Sequence, residues 1–217
     1  MLKGVQQNPK YHSEGDVYHH TLLVLENAPA GVENQIAALL HDVGKPATSE
    51  LIEDEIKSHS HAQVGAEISE AIMRRLKFEN PVIDKVKSMV KNHMRPHELG
   101  RKKEIGSKGI RRFIRDVGDE MVNSILDLAH ADQLGRLPPQ STTPDLRKKI
   151  EEVRQKAKVT KKPILNGQEI MDLLGIPTGP AVGEAQKKLL EIEDDYFEKG
   201  LEFTKDIARQ ELLKKRP

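Results

Sequence analysis

The sequence predicts an all-α protein in which a helical body is followed by a small C-terminal helical appendage. Three observations support this prediction. Apolar residues recur with helical spacing in most segments, Gly and Pro separate these segments, and residues 47–60 break the helical period. The 217 residues are 36% hydrophobic and 32% charged, enough for one core of ordinary size and a smaller dependent segment.

The first two helices are predicted from apolar segments that end at turn residues. Residues 16–27 are apolar nearly all round, which is typical of a buried helix, and His20 lies in its first turns. Residues 32–42 contain the run IAALL and are stopped by Gly44 and Pro46. His41 and Asp42 are therefore expected at the end of the second helix.

Residues 47–60 have room for a short hairpin, and two further helices follow. His61 begins a segment with a period of 3.6 residues that runs to Leu76. Pro81 begins the next, which Pro96 is expected to end just after His93.

The body closes with two more helical segments. Residues 110–117 show a helical pattern that leaves Arg111, Arg112 and Arg115 on its polar side. Residues 119–134 form the last predicted helix of the body, which carries Asp132.

A change of composition near residue 146 separates the body from the appendage. The stretch LRKKIEEVRQKAKVTKK has eight Lys or Arg against two Glu, which predicts a solvated basic helix or linker. A smaller helical unit follows, broken by GIPTGPAVG. We therefore expect a body at 1–145, a basic helix or linker at 146–162 and a helical tail at 163–217.

Composition and charge exclude several classes of function. Lys and Arg number 35 against 34 Asp and Glu, so no global field attracts nucleic acid or a membrane, and any polyanion site must be local. There is no Cys, which excludes disulfides and thiolate chemistry, and the low aromatic content argues against a base-stacking platform. Neither an N-terminal apolar segment nor a membrane-spanning run is found, so we expect a cytoplasmic protein with no membrane partner.

Histidines and aspartates at the predicted helices point to a metal site. They lie on, or at the ends of, five different helices, where burial is costly unless the groups are paired or bound to metal. Imidazole and carboxylate suit one or two divalent ions, either Mn, Fe, Co, Ni, Mg or Zn, and a carboxylate can bridge two ions. The candidate ligands are His20, His41, Asp42, His61, His93 and Asp132. Asp42 is the natural bridge, and the remaining histidines are expected at the surface or in support of the ligands.

The order of these residues resembles a known family. His20, then His41 and Asp42 in HDVGKP, then Asp132 in LAHADQLGR, is similar to the H…HD…D signature of the HD superfamily of metal-dependent phosphohydrolases. The resemblance covers residues 11–137 and implies the HD-domain helical bundle. SHSHAQVGAEI and VKNHM hold histidines where binuclear members keep theirs, which implies room for a second metal.

A narrower resemblance spans nearly the whole chain. HSEGDVYHHTLLVLENAP and the tail LNGQEIMDLLGIPTGPAVGEAQKKLLE are similar to the HD-containing body and tail of bacterial CCA-adding tRNA nucleotidyltransferases. Those enzymes begin with a nucleotidyltransferase head that this chain, as given, does not contain. Nucleotide addition is therefore not expected of it.

The resulting hypothesis is hydrolysis of a nucleotide or RNA-end phosphoester by metal-activated water, with Asp42, Lys45 and Asp132 as catalytic residues. Lys45 and an arginine among Arg111, Arg112 and Arg115 are expected to contact the substrate phosphate, although a solvated face explains the arginines equally well. One alternative is a nucleotidase for free mononucleotides. Another is a non-catalytic RNA-binding module that partners a separate nucleotidyltransferase head.

The tail suggests a contact with a tRNA-like RNA. The helix opened by Pro180 would offer free N–H groups at residues 181–183 to a phosphate. The residues predicted to bind nucleic acid are Gly179, Gly183, Lys187 and Lys188. The simpler interpretation is a helix-turn-helix with Gly and Pro at its caps.

Overall fold

The computed structural model describes residues 1–101, 105–156, 159 and 162–214. Within these residues the chain is helical apart from one hairpin, so the predicted all-α class is confirmed. The elements are α1 (Val17–Asn27), α2 (Val32–Leu40), α3 (Lys45–Thr48), β1 (Ser49–Ile52), β2 (Glu55–Ser58), α4 (His61–Arg75), α5 (Asn80–Asn92), α6 (Met94–Gly100), α7 (Ser107–Val117), α8 (Asp119–Leu134), α9 (Thr143–Lys156), α10 (Gly167–Leu174), α11 (Pro180–Glu198) and α12 (Lys205–Lys214). None of the described helices combines the length and apolar character that crossing a membrane requires.

Contacts divide the chain into two compact units. The first comprises Met1–Lys103 and Val117–Lys148, and the second comprises Glu104–Asp116 and Lys149–Pro217. The boundary predicted after residue 145 thus falls inside α9, close to the change of unit. The segment that contains α7 belongs with the tail, which the sequence did not indicate.

The first unit is a bundle in which α1, α2, α5 and α8 pack together. The apolar faces of these helices form its core, with Val17, Val24, Val86 and Ile125 all fully buried. The start of α1 is fixed by Asp16, whose carboxylate accepts the His19 N–H at 2.9 Å and so satisfies one of the free donors of the first turn.

The hairpin lies between α3 and α4, where the sequence leaves room for one. β1 and β2 are antiparallel, with Ser49 opposite Ser58. The turn residues Glu53 and Asp54 both have positive φ, as a two-residue hairpin turn with the right twist requires. The hairpin therefore leads the chain directly into His61.

Gly44 lets the loop after α2 lie against α4. A Cβ at this position would collide with the carbonyl oxygen of His61 and would lie 2.7 Å from the backbone nitrogen of Gly65. Only glycine fits such a close approach. The contact fixes the His41–Asp42 pair next to His61.

The helix predicted to begin at Pro81 ends near His93 as expected, since α5 ends at Asn92, and Pro96 then lies in the first turn of α6, where a proline loses no helical hydrogen bond. Two local predictions are wrong. Arg111 is not on a polar face but is 1% exposed. Helix α9 is not solvated all round, since Leu146, Ile150 and Val153 are buried at helical spacing; residues 157, 158, 160 and 161 of the basic stretch lie outside the described residues.

The second unit has a core of its own. It is built from α10, α11 and α12, and its buried residues are Leu165, Ile170, Ala185, Leu189, Ala208 and Leu212. Helix α10 begins with a capping box in which the Asn166 side chain accepts the Glu169 N–H and the Glu169 side chain accepts the Asn166 N–H.

Candidate metal centre

The six predicted ligands come together inside the first unit. Each is no more than 9% exposed. His20 comes from α1, His41 and Asp42 from the end of α2, His61 from the start of α4, His93 from the junction of α5 and α6, and Asp132 from α8.

Backbone carbonyls fix the protonation of three of the histidines. The Nδ1 atom lies close to the carbonyl oxygen three residues earlier, at 2.8 Å for His41, 2.8 Å for His61 and 2.7 Å for His93. A carbonyl oxygen can only accept, so each Nδ1 carries a proton. In the neutral ring each Nε2 is then left with a lone pair, as a metal ligand requires.

Asp42 lies between two groups of these nitrogens. Its Oδ2 is 3.2 Å from Nε2 of His41 and 3.9 Å from Nε2 of His20. Its Oδ1 is 3.4 Å from Nε2 of His61 and 4.0 Å from Nε2 of His93. Each group has donor atoms within 4.8 Å of one another and could hold a metal ion.

The donor set fits a cation. Among the described residues, Nε2 of His41 is buried and has no hydrogen-bond partner. Nε2 of His61 and Nε2 of His93 lie 3.3 Å apart, although both nitrogens are acceptors when each Nδ1 carries the proton. Lone pairs that converge in a buried place are stabilised by a cation, and imidazole with carboxylate suits the divalent metals predicted above.

Asp132 closes the site on the side of α8. Its carboxylate accepts hydrogen bonds from Nε2 of His20 at 3.0 Å and from Nε2 of His97 at 2.7 Å. A guanidinium nitrogen of Arg136 lies 3.4 Å from the same carboxylate. Burial alone would raise the pKa of Asp132, but the charges of His97 and Arg136 and the two hydrogen bonds hold it well below its usual range. Asp132 is therefore a carboxylate at neutral pH.

The pKa values of the histidines are pulled in opposite directions. Burial lowers the pKa of His20, but hydrogen bonds to Asp132 and Glu14 outweigh it and raise the pKa to about 9. Burial, with the neighbouring charge of His61, lowers the pKa of His93 to about 3. At neutral pH His93 is thus already neutral, whereas His20 must lose a proton before it can bind a metal.

Glu14 contacts the candidate ligand His20, and the sequence did not predict this contact. Its fully buried carboxylate lies 2.8 Å from Nδ1 of His20 and 2.7 Å from Nδ1 of His12. A carboxylate behind a ligating imidazole fixes the orientation of the ring and raises its basicity. Glu14 lies in a loop, where no periodicity connects it to His20, and the sequence presents it only as part of a turn.

His97 supports the site. The sequence left this residue either at the surface or in support of the ligands, and the structure shows the second, because His97 is 3% exposed and contacts Asp132. It lies on α6, the helix that begins directly after His93.

Lys45 lies at the mouth of the site. Its Nζ forms an ion pair with Oδ2 of Asp42 at 2.6 Å and donates a hydrogen bond to Oε1 of Gln7 at 2.7 Å. A cavity of about 360 Å³ opens beside it and reaches Asp42, His61, His93 and Asp132. The cations that line this cavity are Lys45, Lys57, Arg101 and Arg136.

The three arginines predicted to contact phosphate lie in α7, which belongs to the second unit. Arg111 and Arg115 pair with Asp194 at 2.7 and 2.6 Å. Arg112 is exposed and lies 3.9 Å from Asp116. These carboxylates offset the charges of Arg111 and Arg115 without a substrate, so the structure gives no support to phosphate contacts by either residue.

The predicted RNA-binding residues lie around the start of α11. The N–H of Val182 donates to the carbonyl of Gly179 at 3.1 Å, so one of the three N–H groups expected to be free is engaged. A Cβ at Gly183 would meet no atom within 4 Å, which means that packing does not require glycine there. Lys187 is exposed and Lys188 is half-buried.

The helical bundle and its buried cluster define a class of protein, the helical domains in which histidine and aspartate side chains can hold a divalent metal. The family model of the HD domain matches residues 17–137, which is more than half of the chain. The chain therefore belongs to the HD domain family, within a superfamily of metal-dependent phosphohydrolases.

Relatives of known function are tRNA nucleotidyltransferases, which confirms the second resemblance. The chain is 34% identical over 214 residues to the CC-adding tRNA nucleotidyltransferase of Thermus thermophilus, covering 97% of this chain and 46% of the relative. It is 29% identical over 202 residues to the A-adding tRNA nucleotidyltransferase of Deinococcus radiodurans, covering 87% of this chain and 44% of the relative. The chain thus spans less than half the length of either relative.

Proposed function

We propose that the chain is a metal-dependent phosphohydrolase that cleaves nucleotide or RNA-end phosphoesters by attack of water. The observation that carries this proposal is the position of Asp42, which is shared by two groups of histidines next to a cavity lined by cations. Cyclic 2′,3′-phosphodiesters and 2′-phosphomonoesters are the substrates that we favour.

One ion would be held by His20, His41 and Asp42, and a second by Asp42, His61 and His93. A divalent ion supplies Lewis-acid chemistry in such a site, since it lowers the pKa of water and offsets the charge of phosphate oxygens. Because the ligands are nitrogen and oxygen atoms, the proposal covers Mn, Fe, Co, Ni, Mg and Zn.

The carboxylates are suited to orient the attacking water, because both are ionised at neutral pH and can accept a hydrogen bond from it. Asp42 is buried, which would raise its pKa, but the charges of His41 and Lys45 hold the pKa well below its usual range. Asp132 is ionised for the corresponding reasons and lies 2.7 Å from Nε2 of His97. Either carboxylate could take the proton of a water whose pKa a bound ion had lowered.

Lys45 is suited to bind the phosphate. An ammonium group has three donors, and those of Lys45 that reach Asp42 and Gln7 leave one for a phosphate oxygen. Arg136 is a second cation, and it lies next to the carboxylate of Asp132. Its Nε is buried and has no hydrogen-bond partner among the described residues. The cavity is lined by four cations, Lys45, Lys57, Arg101 and Arg136, and by three carboxylates, Asp42, Glu55 and Asp132, and the excess of positive charge favours an anionic substrate.

We also propose a tRNA-like RNA as a partner of the tail, because the relatives are tRNA nucleotidyltransferases by name. The contacts would involve the backbone around Gly179 and Gly183 together with Lys187 and Lys188. Replacing both lysines by Glu should weaken RNA binding and lower its dependence on salt, since fewer counterions would be released. Unchanged affinity and salt dependence would assign this segment to packing alone.

A panel of phosphoesters tests the proposed reaction. The purified chain is stripped with EDTA, reloaded separately with each candidate metal, and assayed on 2′,3′-cyclic AMP, 2′-AMP, 5′-AMP and an RNA with a 2′,3′-cyclic end. We expect metal-dependent release of product from the cyclic and 2′ esters. A preference for 5′-AMP would instead identify a small-molecule nucleotidase, and no hydrolysis with any metal would favour a non-catalytic RNA-binding module.

A further inference from the structure

The second unit contains a cavity of about 680 Å³ that the proposed hydrolysis does not use. Its size is in the range of cavities that take a small organic ligand. It is lined by residues of the second unit, and its wall combines a buried guanidinium with aromatic, aliphatic and cationic side chains. The residues that matter here are Arg111, Phe197, Phe203, Ile164, Lys156 and Lys162.

Arg111 lines this cavity and carries an unsatisfied buried donor. Its Nε donates to Asp194 at 2.7 Å, one terminal nitrogen donates to Glu193 at 2.8 Å, and the ring of Phe197 lies 4.4 Å from the guanidinium carbon. The other terminal nitrogen, Nη1, is buried and has no hydrogen-bond partner among the described residues. An orphaned buried donor is costly, so the wall of the cavity favours an acceptor from a ligand.

The charged side chains around the cavity indicate where a charged group of the ligand would lie. Asp194 and Glu193 already balance Arg111, so the acceptor for Nη1 need not be charged. Lys156 and Lys162 add positive charge to the lining, which contains three cationic and two acidic side chains. This distribution of charge fits a ligand that places the polar edge of a ring near Arg111 and an anionic group near Lys156 and Lys162.

Aromatic side chains supply the surface for a ring. Two of the four phenylalanines of the chain, Phe197 and Phe203, line the cavity. Phe203 and Ile164 also pack against the core of the second unit, so this part of the wall is held in place. The low aromatic content of the whole chain had argued against base stacking, but two of its seven Phe and Tyr rings lie in this wall.

We propose that this cavity binds a nucleoside phosphate, either free or at the end of an RNA. The base packs against Phe197 and Phe203, an acceptor on the base takes the hydrogen of Nη1 of Arg111, and the phosphate meets Lys156 and Lys162. No bond is made or broken at this site. It is a binding site in a unit other than that of the histidine cluster.

Equilibrium dialysis of the 217-residue chain that carries Asp42→Asn, carried out in EDTA, tests the proposal without hydrolysis at the other site. AMP, GMP, CMP and UMP are the probes, with adenosine and ribose 5-phosphate as partial ligands. We expect at least one mononucleotide to bind, and adenosine and ribose 5-phosphate to bind about tenfold more weakly. A tetranucleotide that binds more tightly than the mononucleotide identifies an RNA end as the source, whereas tighter binding of the mononucleotide identifies the free nucleotide.

Two variants test whether the mononucleotide binds in this cavity. Lys156→Glu, an exposed position on α9, should weaken binding about threefold to tenfold at low salt, and Phe197→Leu about tenfold. Lys149→Glu on the same helix is the matched control and should bind as before. Absence of mononucleotide binding at millimolar concentration, equal binding of ribose 5-phosphate, or binding unchanged in both variants would overturn the proposal.

Discussion

His61 and His93 direct their Nε2 atoms at each other across 3.3 Å, while each Nδ1 proton is held by a backbone carbonyl. Two acceptors in a buried place repel each other, and a shared cation removes the repulsion. This relationship indicates that the second group of ligands, like the first, is arranged around a positive charge. It leads directly to a prediction about metal stoichiometry.

Replacing His61 should remove one ion. His61→Ala takes one nitrogen from the group that Asp42 and His93 complete, so a protein that binds two ions should retain about one. Elemental analysis of metal per chain is the measurement. His19→Ala is the matched control, because the His19 side chain is 63% exposed and its contacts are with Asp16 and the ring of Tyr18, neither of which is a candidate ligand. Equal metal content in both variants would contradict the second site.

Glu14 should act on metal affinity through His20. Glu14→Gln keeps the shape of the side chain but removes the charge behind the imidazole, and loss of such a partner typically weakens metal binding about 10- to 100-fold. Competition with a chelating dye measures the affinity. Glu26→Gln, an exposed residue of α1, the helix that carries His20, should leave the affinity unchanged. Equal affinities for the two variants would show that Glu14 only supports the fold.

Metal binding should release a proton near neutral pH. The pKa of His20 is raised to about 9, so the ring is protonated at pH 7 and must be deprotonated to bind metal. Because only the deprotonated form binds, affinity should rise as pH increases toward about 9 and level off above it. Calorimetric titration in two buffers of different ionisation enthalpy counts the released protons. A constant affinity between pH 7 and pH 9 would contradict this role of His20.

Asp194 should be essential for the stability of the second unit. Its carboxylate is 1% exposed and pairs with both Arg111 and Arg115, so Asp194→Asn removes a negative charge that two guanidinium groups share in a buried place. We expect a loss of about 3–5 kcal/mol in the free energy of unfolding, measured in urea. Asp195→Asn breaks an exposed pair with Lys108 and should cost under about 1 kcal/mol. Similar losses in the two variants would exclude the proposed burial effect.

Prediction from the sequence succeeded where the determining interactions are local. Helix α8 begins and ends where its periodicity and flanking glycines indicate, and α1 begins after the aspartate that caps it. The six candidate ligands could be found because each lies on a periodic apolar helix, where a titratable side chain is conspicuous.

Prediction failed where a contact joins distant parts of the chain. The burial of Arg111 depends on carboxylates 82 and 83 residues later, which no local pattern reveals. Glu14 reaches His20 from an irregular loop, where no periodicity connects the two residues. In each case the missing information is the partner on another element.

Asp42 offers the most direct test of the central claim, which is that this cluster binds metal and uses it to hydrolyse a phosphoester. Metal content and hydrolysis of 2′,3′-cyclic AMP are measured on the same preparations of the original chain and of Asp42→Asn. Because Asp42 belongs to both groups of ligands, the variant should lose its metal, and its activity should fall by more than the roughly 100-fold that loss of an outer partner costs. Full activity in Asp42→Asn, or hydrolysis by the original chain after complete removal of metal, would contradict the account.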